Sequence, residues 1–243
     1  MNSIETKKLT KIFGNKIVVD NIDLTIKKGE IFSLLGVNGA GKTTTIKMLT
    51  GLLKPTSGDA ILDNYSILSD INNVKKVINI SPQETAVAPN LTVKENLYFV
   101  AGIYEIKNKE DKVNELIKLF NFNDVVNQRA KTLSGGWQRK LSIAMSLIND
   151  PDILFLDEPA LGLDVLARRE LWNIIKSFKH EKTIILTTHY MEEASELSDR
   201  LAIMSSGKIL DMGSPKDLIK KYKKKTIEEV FVCVTGGVDN ENN

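Results

Sequence analysis

The chain has 243 residues, 42% apolar and 26% charged; this is ordinary for a soluble globular protein, and at about 150 residues per domain it predicts one to two domains. Charge is nearly balanced, with 33 Lys+Arg against 31 Asp+Glu, which excludes a whole-molecule field for nucleic acid or anionic membrane. Cys233 is the only cysteine, so an internal disulfide and a cysteine-built zinc site are excluded and a reducing compartment is expected.

Met1 to Thr10 is polar and lysine-containing, unlike a signal peptide. The longest apolar stretch, Leu97 to Tyr104, falls well short of the roughly 18 residues of a membrane span. A soluble, cytosolic chain is expected. Alternation over Ile17 to Ile26, and less clearly over Thr6 to Phe13, predicts an antiparallel opening. Glu30 to Leu35 is apolar after its first residue and ends in glycine, the pattern of a strand buried on both faces. A helix is predicted over Thr43 to Leu53, stopped by Lys54-Pro55.

Another short buried strand follows at Val77 to Ile80. Leu91 to Ile106 and Lys109 to Phe120 then carry helical spacing with no strand between, so Gln83 to Asn149 reads as a helical insertion. Buried strands return at Ile153 to Leu156, Thr183 to Thr187 and Arg200 to Met204, separated by helical runs at Leu166 to Phe178 and Met191 to Leu197. Strand alternating with helix predicts an α/β fold with a mostly parallel sheet covered on both sides. The lysines at 220, 221, 223, 224 and 225 read as a solvated helix end, with a membrane-surface contact as the rival. Asp239 to Asn243 reads as a frayed end.

Gly36-Val37-Asn38-Gly39-Ala40-Gly41-Lys42-Thr43 matches G-x-x-x-x-G-K-[ST] between a predicted buried strand and a predicted helix. Glycines let the backbone wrap a polyphosphate, amides at the helix N-terminus point at it, Lys42 supplies a positive charge and Thr43 offers a hydroxyl to Mg²⁺. A dinucleotide fingerprint starting at Gly39-x-Gly41 fails, because its sixth position is Thr44. Ile153 to Glu158 forms a second signal, a buried strand delivering two carboxylates at the end where α/β sheets bind ligands. Asp157 suits Mg²⁺ held through water, and Glu158 suits the polarising of a nucleophilic water. Together they indicate a Mg²⁺-dependent nucleoside triphosphatase. Leu133-Ser134-Gly135-Gly136-Trp137 leads into a helical run, Gln138 to Ile148. Ser134 suits an N-cap, and the glycine amides are open to an anion. Taken alone, a capped helix with a flexible lead-in explains this segment as well.

In order and spacing these segments resemble the nucleotide-binding subunit of an ABC transporter, from about Ile4 to Gly237. The resemblance implies a P-loop NTPase core with an N-terminal antiparallel β part and an inserted helical subdomain. It divides a single ABC ATPase domain, 1–238, into an α/β core at 1–82 and 150–212, a helical part at 83–149 and a helical tail at 213–238. It implies ATP as nucleotide, held by Gly36, Asn38, Gly39, Ala40, Gly41, Lys42, Thr43 and Thr44, with Phe13 against the adenine. It adds Ser134, Gly135, Gly136 and Asp164 to the nucleotide contacts, Ser134 and Gly136 reaching the γ phosphate held by a second subunit. Gln83 would join Thr43 and Asp157 at the metal and couple it to the membrane partner, and His189 would act with Glu158 and Gln83 in catalysis. Outside the resemblance, Gln83 is a polar loop residue and His189 an ordinary strand-end histidine.

Partners implied are an integral membrane permease and a second ATP-binding subunit, identical or paralogous, with the chain peripheral on the inner face of the cell membrane. No nucleic acid is expected. Glu158 to Asp164 and Thr188 to Ala194 are similar to the drug, sodium and polymer exporter group with ABC-2 type permeases. Three positions depart from the family pattern: Trp137 for Gln, Phe13 for Tyr and Ala160 for Thr. Two rivals are weighed. A GTPase has a decoy in Asn108-Lys109-Glu110-Asp111, which joins two helical runs rather than following a sheet strand. A soluble ABC ATPase of translation or DNA repair would carry tandem cassettes or a long coiled coil, and neither is present in this stretch.

Overall fold

The computed structural model describes residues 1–236, so the expectation for 239–243 and the last two residues of the 213–238 tail lie outside the described residues. The chain opens with β1 (Asn2–Phe13), β2 (Lys16–Ile22) and β3 (Thr25–Lys27), then β4 (Ile31–Leu35) and α1 (Lys42–Leu49). There follow β5 (Ser57–Leu62), β6 (Tyr65–Ser66), α2 (Ile71–Val77) and β7 (Ile78–Ser81). Only helices fill the stretch to the next strand: α3 (Val93–Ile103), α4 (Lys109–Leu119), a 3-10 turn at Ala130–Thr132 and α5 (Gly135–Ser146). Then come β8 (Ile153–Asp157), α6 (Val165–Ser177), β9 (Thr183–Thr188), α7 (Met191–Leu197), β10 (Arg200–Ser205), β11 (Lys208–Gly213), α8 (Pro215–Tyr222) and α9 (Ile227–Val234).

Two sheets result, as the sequence pattern predicts. An antiparallel sheet runs β2-β1-β5-β6, with β3 also pairing β1. A six-stranded sheet runs β11-β10-β4-β9-β8-β7, parallel throughout except for β11 against β10. The uninterrupted apolar runs have a direct cause, since alternate residues enter different cores. Leu154, Leu156, Ile184 and Leu186 pack with α3, α4, α5 and α6. Ile153, Phe155, Ile185, Phe32 and Leu34 pack on the opposite side with α1 and the antiparallel sheet. A third cluster joins α7, α8 and α9 to Leu201 and Ile203 of β10.

Several expected bounds shift, each for a local reason. Helix α1 stops at Leu49 rather than Leu53, because Thr50 Oγ1 bonds back to the Ile46 carbonyl and Gly51 takes φ 70°. The expected strand Ile17 to Ile26 is split at Asp23-Leu24 into β2 and β3. The hairpin of β5 and β6 escapes the sequence reading; Asp63 and Asn64, both at positive φ, form its turn. Helix α2 and edge strand β11 escape it too. Asn108 to Asp111 opens α4, away from any sheet strand. The lysines at 220–225 lie at the exposed end of α8, where Lys221 Nζ meets Asp211 at 2.6 Å. No helix among the described residues is long and apolar enough to cross a membrane.

Phe155 is fully buried on β8, an interior strand of the parallel sheet. Phe155→Ala is expected to lower stability by about 3–5 kcal/mol, read as a reduced midpoint in urea denaturation.

Candidate functional site

Strands β4, β9 and β8 lie side by side in register, and each releases its chain at the same sheet edge. After β4 the loop from Gly36 to Gly41 turns into α1. Gly41 adopts φ 103°, and a Cβ there would meet the Val18 carbonyl at 2.7 Å, so only glycine fits. Gly36 is equally constrained by the Met204 carbonyl, 2.5 Å from a built Cβ. Gly39 has open space beside it at φ 83°. No side chain caps the N-terminus of α1, which leaves its first amides facing the loop's hollow.

A cleft of about 340 Å³ opens over this loop, lined by Val18, Asn38 to Thr44, Gln83, Glu158, Leu161 and His189. Lys42 and Glu158 form a buried ion pair within it, Nζ to Oε1 3.2 Å. Lys42 Nζ also donates to the Gly36 carbonyl at 2.6 Å and the Val37 carbonyl at 3.3 Å. The other Glu158 oxygen, Oε2, is 2.7 Å from His189 Nδ1. Glu158 itself sits at φ 51°, a left-handed conformation costly for a non-glycine residue. Its amide is held there by the Thr187 carbonyl at 3.2 Å and the Thr187 hydroxyl at 3.0 Å.

Thr43 Oγ1 donates to Asp157 Oδ1 at 3.0 Å, and the Thr187 hydroxyl donates to the same oxygen. A hydroxyl and a carboxylate side by side at a phosphate-shaped loop are hard oxygen donors suited to Mg²⁺, which keeps most of its remaining positions for water and phosphate.

The expected residues therefore fall into two groups. Asn38, Gly39, Ala40, Gly41, Lys42, Thr43, Thr44, Gln83, Glu158 and His189 share the cleft, with Asp157 buried beneath it and Gly36 at the loop's root. Ser134, Gly135, Gly136 and Asp164 line a second cleft with Trp137, Lys140 and Glu170. Ser134 is the N-cap of α5, as its sequence position suggests, and Asp164 caps α6 by accepting from the Leu166 and Ala167 amides at 2.9 Å. Phe13 lies in neither cleft; it is exposed at the end of β1 with the Lys11 ammonium 5.0 Å from its ring centre. Trp137 packs against Phe122, its ring 4.6 Å from the Lys140 ammonium, and Lys140 is paired with Glu170.

Sequence reasoning missed Arg139. From α5 its buried guanidinium donates to the carbonyls of Pro82 at 2.6 Å, Gln83 at 2.9 Å, Glu158 at 2.6 Å and Pro159 at 3.1 Å, and to that of Asp157. Burial pulls this guanidinium below its ordinary range, while Asp157, Glu193 and Glu158 oppose that pull. A signal existed: Arg139 is a charged residue directly ahead of the largely apolar run Leu141 to Ala144 in a helix. Thr187, which braces both Asp157 and Glu158, carries no such signal.

The profile of the ABC transporter family matches residues 19–161. The chain is 42% identical over 225 residues to the human phospholipid-transporting ATPase ABCA3, covering 90% of this chain and 13% of that protein. It is 37% identical to the probable multidrug ABC transporter ATP-binding protein YbhF of Escherichia coli, over 98% of this chain and 43% of the other. The chain thus spans less than half the length of either relative. A solved ATP-binding subunit of an ABC transporter superposes with a TM-score of 0.86 at 26% identity, covering 96% of this chain and 99% of that one. A dimeric ATP-binding cassette in a post-hydrolysis state with ADP and Pi superposes with a TM-score of 0.78 at 26% identity, over 87% of this chain and 98% of the other.

Removal of the guanidinium strands several buried carbonyls at once. Arg139→Ala is expected to cost about 3 kcal/mol or more, and Arg139→Lys to recover only part of it, because a single ammonium cannot span both loops. Chemical denaturation of the two variants checks this.

Proposed function

This chain belongs to the ABC transporter family as an ATP-binding component, and from that premise we propose that it hydrolyses ATP at a head-to-tail dimer interface to drive transport, in the export direction, through an ABC-2 type permease. The observation that carries the chemistry is Glu158, held between Lys42 and His189 at the mouth of the P-loop cleft. Its carboxylate is buried and polarised from both sides, the condition for directing a water at a bound phosphate. Lys42, pre-placed beside the loop carbonyls, transfers its positive charge from Glu158 to an arriving phosphate. That exchange releases one Glu158 oxygen for water while His189 retains the other. Thr43 and Asp157 would hold Mg²⁺, which when bound neutralises phosphate charge. Gln83, at the cleft rim, would report on that site to the membrane partner.

The two-cleft arrangement supports the dimer reading. Ser134, Gly135, Gly136 and Asp164 line a surface apart from the P-loop cleft, so contacts from Ser134 and the glycine amides to a γ phosphate would come from a second subunit. Phe13, exposed at the end of β1, would stack on adenine, which needs only a π face. Residues 83–149 would then form the helical subdomain, with the chain seated peripherally on the inner face of the membrane.

Glu158→Gln is expected to lower ATP turnover by about 100-fold or more while leaving equilibrium ATP binding in place; turnover near wild type would sink the assignment. Lys42→Ala is expected to weaken ATP binding by about tenfold or more, read by titration with a fluorescent nucleotide.

A further inference from the structure

Glu193 is an ionisable group near the site that the reading above leaves without a task. It lies on α7, fully buried. Its Oε1 accepts from the Trp172 indole N–H at 3.0 Å, whereas Oε2 has no hydrogen-bond partner. Among the described residues the other such buried side-chain atom is Nε of Arg168, on α6. The Arg168 guanidinium lies 5.4 Å from the Trp172 ring centre and 5.7 Å from that of Tyr190. Tyr190 in turn lies 4.1 Å, centre to centre, from the His189 ring, and His189 holds Glu158. A continuous column of indole, guanidinium, phenol and imidazole therefore joins Glu193 to Glu158.

We propose that Glu193 is a positioning residue for Glu158, acting through Trp172, Arg168, Tyr190 and His189 to fix the imidazole against the carboxylate. This role rests on the reading of the cleft as an ATP hydrolysis site. Aromatic and cation–π contacts give the column direction but little rigidity of their own. Glu193 supplies the anchor at its closed end, through the indole N–H and the electrostatic pull on Arg168.

The anchor's strength depends on its charge. Burial pushes the Glu193 carboxyl up to about 7, opposed by the nearby Thr188 hydroxyl, the Trp172 hydrogen bond and Arg168 and aided by Glu158. The groups facing it are Glu158 after β8, Arg168 on α6, Arg139 on α5 and the Thr188 hydroxyl at the end of β9. Strand β4 contributes no ionisable side chain, and Glu228, Glu229 and Cys233 of α9 are exposed. Glu192, also on α7, touches the outer edge of Arg168 at 3.8 Å. Ionisation makes the indole hydrogen bond charge-assisted and sets an anion facing the guanidinium in a low dielectric. The column is therefore tighter above about pH 7 than below it.

Stability runs the other way. A carboxyl whose folded value is raised contributes stability below its unfolded value of 4.5, and loses it as pH rises through about 7. The test compares wild type, Glu193→Gln and Trp172→Phe in steady-state ATP turnover across that range, alongside thermal melting. Wild-type kcat should step upward through about pH 7. Glu193→Gln, neutral throughout, should lack the step and lie about tenfold lower on the alkaline side, with KM for ATP unchanged. Trp172→Phe, which keeps a ring under Arg168 but removes the donor, should show part of the same kcat loss; it carries the test if the glutamine variant does not fold. The Tm of Glu193→Gln should rise relative to wild type as pH rises.

Equal kcat for wild type and Glu193→Gln on the alkaline side, a step of equal size in both profiles, or a KM that rises with the kcat loss overturns the proposal. A wild type without turnover sinks the hydrolysis reading and this role together. Turnover in the wild type with no kinetic effect in either variant sinks this role alone.

Discussion

A strand covered on both faces has no room for polar chemistry until it ends. Strands β4, β8 and β9 are buried along their whole length, with alternate side chains committed to two different cores. The groups that line the P-loop cleft are thereby displaced to one end of the sheet, where the three chains leave together. The Lys42–Glu158 pair spans that end, joining the loop after β4 to the loop after β8. Two buried charges out of water are costly unless they face each other. The pair therefore ties the placement of the P-loop to the placement of Glu158.

The same constraint explains what could be read from the sequence. Strands built round a short apolar run stand out, so β4, β8, β9 and β10 were legible to within a residue or so, as were the P-loop and the Asp157-Glu158 pair at their ends. Glycine positions such as Gly41 were legible because a close backbone approach tolerates nothing larger. Partly exposed strands were not. Strands β5, β6 and β11 have mixed burial and owe their form to pairing with neighbours rather than to a pattern of their own.

Two side chains packed around the site also carried no pattern of their own. Thr187 braces Asp157 and Glu158 through a hydroxyl that looks, in the sequence, like one more β-branched strand residue. Glu193 reads as one of two adjacent glutamates on a short helix, yet one is exposed enough to reach only the rim of Arg168 and the other is fully buried. Periodicity cannot separate them, because α7 is only seven residues long. Geometry alone distinguishes such neighbours from the motif residues they pack against.

Arg139 grips Pro82, Gln83, Asp157, Glu158 and Pro159 only through their main-chain oxygens. Such a clasp is blind to what side chains those positions carry. Substitutions in either loop can retune chemistry without loosening the joint, provided the path of the chain is kept. A displacement of one loop, by contrast, is passed to the other and to the start of α5 with no side chain of the loops taking part. The joint thus separates mechanical linkage from chemical identity: one arginine carries the first, and the residues it holds are left free to supply the second.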